Sequence, residues 1–333
     1  MNAFRGAMVT AVWLLTGGAG YIGSHVVREF ARHGIAHVVL DDLSTGFRDY
    51  VPEEIPFVHG SAVDPKVVGE LFAQFPIRGV MHLAGLKYAG QSVLEPTRFY
   101  DANYTSTRVL VDAAGEAGVD RFVLSSSCSW YGTPDREIVT EDSPAQPESP
   151  YGQSKVMSEW LLRAVARTRP ELRQVSLRYF NVVGSGEPSL VDRSPYNLFP
   201  RVFSALAEGV RPTVWGSDYP TPDGTCIRDY VHVQDVAEAH VLLARVLDAG
   251  PAPSDVYNIG TGHGASVLEV ISAVGAHAGL DIDPEILPRR EGDPARIVGS
   301  ARRLQDELGW AARHDLASMV STAWDAWQLQ PSR

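Results

Sequence analysis

Short apolar runs alternate with longer stretches of helical period through the first half of the chain. Residues 9–15 form one such run, a glycine-rich turn follows, and residues 21–33 repeat apolar positions at helical spacing until Gly34. The order is strand, turn, helix. It recurs with strands expected at 37–40, 56–59, 80–84, 121–124 and 174–179, and helices at 66–75, 97–117 and 151–169. Strands alternating with helices predict an α/β fold, a doubly wound parallel sheet covered on both faces. Ligands of such a sheet gather at the carboxyl ends of its strands. Beyond Asn181 glycine and proline become denser and the elements shorter, which predicts a smaller C-terminal domain. The expected division is 8–181 and 182–330, with 231–247 and 256–259, in the region 231–260, returning to the large sheet. The sequence has no internal repeat and no low-complexity tract.

The first turn carries the first chemistry. Gly17, Gly20 and Gly23 stand three apart, and glycine at such positions lets backbone amides and a helix N-terminus approach a pyrophosphate. The strand at 37–40 then delivers Asp41, about 20 residues on, where an acid can hydrogen-bond ribose hydroxyls. A glycine-rich turn alone is equally a structural turn. The strand before it and the acid after it favour a Rossmann-type dinucleotide site, and Asp41-Asp42 without a following arginine favours NAD over NADP. Lys87, just past the fourth strand, is placed either to reach a cofactor or sugar or to remain a solvated lysine.

Composition narrows the field. The chain has 333 residues, 44% of them hydrophobic, enough for a large core. A formal charge of -11 disfavours a broad nucleic-acid or anionic-membrane surface, so any phosphate must meet a local site. The two cysteines, Cys128 and Cys226, have no metal-ligand spacing, and a reducing cytoplasm fits their scarcity. Arg5 and the apolar run 8–15 imitate a short signal peptide, but the run continues into Thr16-Gly17-Gly18-Ala19-Gly20 and reads as a buried first strand. No apolar stretch reaches the roughly 20 residues of a spanning helix.

Tyr151 and Lys155 lie four apart at the head of a predicted helix, on one face, where a single substrate can meet both. A phenol ionises near pH 10, so a base working near pH 7 needs roughly 4 kcal/mol of selective phenolate stabilisation. A neighbouring ammonium and a cationic cofactor supply charge of the right sign. Ser127 follows strand 121–124, in a serine run expected as a loop at the mouth of the sheet, and is the candidate hydrogen-bonding partner; Ser125 and Ser126 read as loop alone. Helices 97–117 and 151–169 carry apolar residues beyond one stripe, which predicts pairing with copies of themselves in a homodimer.

These residues together resemble the extended short-chain dehydrogenase/reductase family, and within it the UDP-glucose (UDP-galactose) 4-epimerases. The likeness runs from Thr16-Gly17-Gly18-Ala19-Gly20 to Leu308-Gly309-Trp310, through His82-Leu83-Ala84-Gly85-Leu86-Lys87, Tyr151-Gly152-Gln153-Ser154-Lys155 and Arg178-Tyr179-Phe180-Asn181. More specific are the blocks from Asp218 to Val233 and from Pro288 to Asp293. The resemblance implies that NAD is held by Gly17, Gly20, Tyr21, Ile22, Gly23, Asp41, Ser61, Ala62, Leu83, Ala84, Lys87, Asn103, Tyr151, Lys155 and Tyr179. It implies that a UDP-sugar is held by Lys87, Ser127, Tyr151, Asn181, Asn197, Leu198, Trp215, Arg228, Arg290 and Asp293, with Trp215 beside the uracil. Tyr151 would be the base on the sugar 4-hydroxyl, Ser127 would bond the same oxygen, and Lys155 would hold the nicotinamide ribose. Hydride would leave C4 and return to the other face, through a 4-keto sugar. No metal is implied.

The chain departs from the family pattern at four places. Ser61 stands where many members have an aspartate, Tyr196 replaces an asparagine, Ile297 is of intermediate size at a position that gates N-acetylated sugars, and Tyr104-Thr105-Ser106 differs after Asn103. The sugar therefore stays open among hexose, N-acetylhexosamine, uronic acid and pentose. A nucleotide-sugar dehydratase needs acids after Ser127, where this chain has Cys128 and Ser129. A dehydrogenase leaves the nucleotide blocks unexplained, and a non-catalytic NAD-binding regulator would have lost part of the Ser127, Tyr151 and Lys155 set.

Overall fold

The computed structural model describes residues 11–290 and 292–330. Residues 8–10 of the expected first strand and domain, and Glu291 within the Pro288–Asp293 block, lie outside the described residues.

The chain begins β1 (Val12–Thr16), α1 (Tyr21–Arg32), β2 (His37–Asp41), β3 (Phe57–His59), α2 (Pro65–Gln74) and β4 (Ile77–His82). Successive residues of β1 point to opposite faces, and both faces are buried. Trp13 and Leu15 join one core cluster with Val26 and Phe30 of α1, and Leu14 joins another with Val68 and Leu71 of α2. Asp64 starts α2 by accepting from the Lys66 amide, with Pro65 at the first helical position.

Next come α3 (Ala89–Leu94), α4 (Pro96–Tyr100) and α5 (Ser106–Glu116). The single helix expected over 97–117 is thus interrupted: residues 101–105 form a π turn. Hydroxyls explain the break, because Ser106 Oγ donates to the Ala102 carbonyl and Thr107 Oγ1 to the Asn103 carbonyl, in competition with the helical ladder.

The chain continues with β5 (Arg121–Ser127), α6 (Pro150–Thr168) and β6 (Arg173–Tyr179). Ser125, Ser126 and Ser127 belong to the strand and not to a loop, since they pair in register with Leu177, Arg178 and Tyr179. Serine is a weak strand former, and here the neighbouring strand imposes the conformation.

The remaining elements are β7 (Asn181–Val183), α7 (Leu198–Ala207), β8 (Thr213–Trp215), β9 (Ile227–His232), α8 (Val233–Ala249), β10 (Val256–Ile259), β11 (Gly264–Ser266), α9 (Val267–Ala278), β12 (Glu285–Leu287), β13 (Arg296–Ile297), α10 (Arg302–Leu308) and α11 (Leu316–Gln328). A seven-stranded parallel sheet has the order β10-β6-β5-β4-β1-β2-β3. Strand β10 comes from the C-terminal half, and α8 packs along α1 on one face of this sheet. A second sheet, β11-β9-β13 with β7 also paired to β9, stands beside a two-stranded β12-β8 pair. Phe199, Phe203, Val270, Ile271 and Met319 form the core of this second half.

The strand order reverses on either side of β1, so a crevice opens at the carboxyl ends of β1 and β4. A buried carboxylate joins the second half: Asp229 of β9 accepts from the amides of Thr261, Gly262 and Gly299. Its neighbour Arg228 is thereby left to face the other way, into the cavity described next.

Candidate active site

Two cavities meet at the segment Leu83–Leu86. The smaller, about 130 Å³, is lined by Gly17, Gly20, Asp41, Ser61 and Ala62, with Ser44, Thr45 and Gly46 on its far wall. The turn after β1 is packed to a closeness that only glycine permits: a Cβ on Gly17 would lie 2.5 Å from the Ala84 nitrogen, and one on Gly23 would lie 2.0 Å from the Gly17 carbonyl oxygen. Gly17 also has a φ of +72°, in the left-handed region. The Asp41 carboxylate is buried and fixed by the amides of Ala19 and Leu43, each at 2.9 Å. Burial pushes its carboxyl above the usual range, and those two amides pull it back.

The larger cavity of the pair, about 390 Å³, is lined by Ile22, Leu83, Lys87, Ser127, Tyr151, Lys155 and Tyr179 from the chain up to the end of β6 and by Asn181, Asn197, Leu198, Trp215, Arg228, Arg290 and Asp293 from the chain beyond it. Ser127 ends β5, and its hydroxyl caps the turn that follows by accepting from the Ser129 amide at 3.1 Å. Tyr151 and Lys155 occupy the first turns of α6, which begins with Ser149 as cap and Pro150 at the first helical position. Gly152 lets this helix press on the preceding turn, since a Cβ there would meet the Ser129 carbonyl oxygen at 2.9 Å. Lys155 Nζ donates to the Ser125 carbonyl at 2.8 Å.

Burial dominates the electrostatics. It pushes the Tyr151 phenol up to about 12, with the Ser127 side chain acting against it. It lowers the Lys155 ammonium to about 8, with the Glu159 carboxylate acting against it. It raises the Cys128 thiol to about 12. At neutral pH the chain thus presents a neutral phenol, a neutral thiol and a charged amine to one cavity.

The second half of the chain brings arginines to the same cavity. Arg228 Nη2 pairs with Asp293 at 2.9 Å and its Nη1 donates to the Pro294 carbonyl at 2.7 Å. The Arg290 guanidinium lies 4.6 Å above the Trp215 ring. Burial lowers its pKa, and Arg201 nearby adds to the effect. The Trp215 indole N–H is buried with no partner among the described residues, a donor awaiting an acceptor.

Some expected residues stand elsewhere. Asn103 lines neither cavity: its side chain accepts from the Leu86 amide and donates to the Leu86 carbonyl and Ser154 Oγ, clamping the Gly85-Leu86 loop to α6. Tyr21 also lies outside both, its hydroxyl donating to the Gly184 carbonyl at 2.6 Å. Gly23 acts through helix packing. Ile297 packs with Trp130, Val156 and Phe180 and does not line the cavity. Sequence reasoning missed Arg201, which lines the larger cavity; Tyr196, noted in the sequence as a departure, lines it too, with its ring centroid 4.3 Å from that of Tyr88. Arg201 carried one signal, its place four residues after Asn197 on the same helix face. A separate cavity of about 1100 Å³, bordered by residues 260–265 and 310–316, contains none of the expected site residues.

The sequence profile of the NAD dependent epimerase/dehydratase family matches residues 13–260. The chain belongs to that family. Among its members, the UDP-glucose 4-epimerase of Neisseria meningitidis is 40% identical over 93% of this chain and 95% of its own. The UDP-glucose 4-epimerase of Stenotrophomonas maltophila, whose crystal structure contains NAD and formylated UDP-arabinopyranose, is 37% identical with a TM-score of 0.90, covering 96% of this chain and 98% of that one. The UDP-Glc/GlcNAc 4-epimerase of Campylobacter jejuni is 35% identical with a TM-score of 0.83, covering 96% and 99%.

Proposed function

We propose that the protein interconverts UDP-galactose and UDP-glucose by inverting C4 of the hexose, using NAD. The observation that carries this reading is the shared cavity, lined by Ser127, Tyr151 and Lys155 together with Arg228, Arg290 and Trp215. The first three are suited to moving a proton at a hydroxyl, and the second three to holding a diphosphate and a base. The guanidinium fork is bidentate and always charged, which matches phosphate oxygens.

The glycine turn and buried Asp41 fit a dinucleotide. Bound NAD supplies an acceptor that takes hydride from C4 and returns it, so the reaction has no net redox change. Tyr151 takes the proton from the 4-hydroxyl and gives it back, with Ser127 hydrogen-bonding the same oxygen. The phenol needs cationic neighbours to do this, because burial alone drives its pKa upward. Lys155, fixed on the Ser125 carbonyl, is the cation that the chain itself provides.

In this reading the seven-stranded sheet with its return strand β10 forms a cofactor half, 8–181 plus elements near 231–260, and 182–330 forms the sugar-nucleotide half. The chain works as a homodimer: α6 carries Trp160, 55% exposed, beside α3 with Val93 and Leu94 exposed at 63% and 82%. Two unpaired thiols suit a reducing cytoplasm. The test is incubation of the purified protein with UDP-galactose, UDP-N-acetylgalactosamine and UDP-galacturonic acid in turn, with the products resolved by chromatography. Conversion of UDP-galactose to its 4-epimer without net NADH supports the reading. Conversion of only another sugar corrects the substrate, and no conversion of any overturns it.

A further inference from the structure

We propose that Glu159, bound to Arg178 one helical turn behind Lys155, is a positioning residue that keeps Lys155 charged and in place. The proposal rests on the epimerase reading for its consequence in turnover, but its geometry stands apart from the substrate.

Glu159 and Arg178 are both fully buried, with side chains 0% exposed. Their contact is bidentate: Arg178 Nε donates to Oε1 at 3.0 Å and Nη2 to Oε2 at 2.8 Å. Ser126 Oγ donates to the same Oε1 at 2.5 Å. The guanidinium lies 3.6 Å from the Trp130 ring centroid, and Nη1 donates to the Tyr131 hydroxyl, which in turn donates to Asn258. Each partner is a chain neighbour of a site group. Ser126 stands between Ser125, which holds Lys155, and Ser127. Arg178 precedes Tyr179, and Glu159 follows Lys155 by four residues on the same helix face.

A buried ion pair is a poor device for stability alone, since its desolvation offsets the Coulomb gain. Here the carboxylate has a second cation to serve. Lys155 is buried, and Glu159 is the one charged group recorded as favouring its protonated form. The other groups around Lys155 are Tyr151 on the same helix, the Ser125 carbonyl on β5, Tyr179 on β6 and His82 on β4. His82 is itself neutral, lowered to about 3 by burial and by Lys155. Around Glu159 stand Arg178 on β6, Arg163 on its own helix at 3.8 Å and Ser126 on β5. Arg178 ties the carboxylate in place, and the carboxylate keeps the amine protonated.

The chain's only lysines are Lys66, Lys87 and Lys155, so each can be followed by itself. The experiment is a pH titration of the NAD-loaded protein labelled with ¹³C at lysine Cε, comparing wild type with Glu159→Gln and assigning Lys155 through Lys155→Met. The Lys155 midpoint should fall by about one pH unit in the variant, with Lys66 and Lys87 unmoved. The alkaline loss of UDP-galactose turnover should begin at correspondingly lower pH. Should Glu159→Gln fail to fold with Arg178 left unpaired, the Glu159→Gln/Arg178→Met pair is read against Arg178→Met alone, so that the two differ only in the carboxylate and the Lys155 midpoint should be the lower in the pair. A Lys155 midpoint unchanged in the folded variant overturns the proposal, whatever happens to turnover. A wild-type protein inert on UDP-galactose would instead sink the epimerase reading, because the lysine titration needs no sugar.

Discussion

Lys155 Nζ and the Ser125 carbonyl oxygen, 2.8 Å apart, tie α6 to the strand that ends in Ser127. The bond fixes α6 against β5 and points the amine at the cavity, but it does so in a place where charge is costly. Burial holds the ammonium near 8, below its ordinary 10.5. Between those pH values the unfolded chain binds more protons than the folded one, so stability rises with pH across that window, and the full cost is present below it. Lys155→Met should therefore be more stable than wild type at pH 7, by a margin on the order of a few kcal/mol less about 1 kcal/mol for the lost bond. The margin should shrink toward pH 10. Urea midpoints at both pH values check this, and an equal margin at both would contradict it.

Tyr151→Phe removes the proton acceptor and leaves the ring. General acid–base groups contribute about 10²- to 10⁴-fold, so kcat should fall by that order while NAD stays bound. Turnover assays beside measurement of retained NAD separate the two effects. Unchanged turnover would remove Tyr151 from the proposed chemistry.

Gly17→Ala places a Cβ where the Ala84 nitrogen already lies, at a backbone conformation that alanine resists. NAD affinity should fall at least tenfold, seen by calorimetry on protein stripped of cofactor. Affinity close to wild type would mean that the turn does not hold the pyrophosphate.

Arg290→Met takes away a guanidinium from the cavity that Tyr151 and Lys155 also line. A charge-assisted bond is worth about 1.5–3 kcal/mol, so KM for UDP-galactose should rise roughly 10- to 100-fold with kcat nearly preserved. Inhibition by UDP should weaken in parallel. A fall in kcat alone would place Arg290 at the reaction and not at the nucleotide.

Trp160→Glu puts a charge on the exposed face of α6. Light scattering should then report a monomer in place of a dimer, and a wild-type monomer would refute the pairing of these helices.

Local chemistry made the glycine turn after β1 and the helix that carries Tyr151 and Lys155 legible in the sequence. Gly17 and Gly20 with Asp41 follow from what a turn and a short strand can present, and Tyr151 and Lys155 from helical spacing. Contacts distant in sequence were hidden. The serine run became strand because Leu177, Arg178 and Tyr179 pair with it, and Asn103 sits in a π turn set by hydroxyl bonds to the carbonyls of Ala102 and Asn103. Arg201 and Glu159 read as ordinary helix residues until the partners around them are known. The division into two halves is blurred for the same reason, since β10 joins β6 from far along the chain.

The central claim is that hydride leaves C4 of the sugar and returns to it within one site. The most direct test uses UDP-galactose carrying deuterium at C4, with the product followed by NMR. The account predicts UDP-glucose with deuterium retained at C4, none in the solvent and no accumulated NADH. Deuterium lost to water, or a substrate recovered unchanged by protein that still binds NAD, would contradict it.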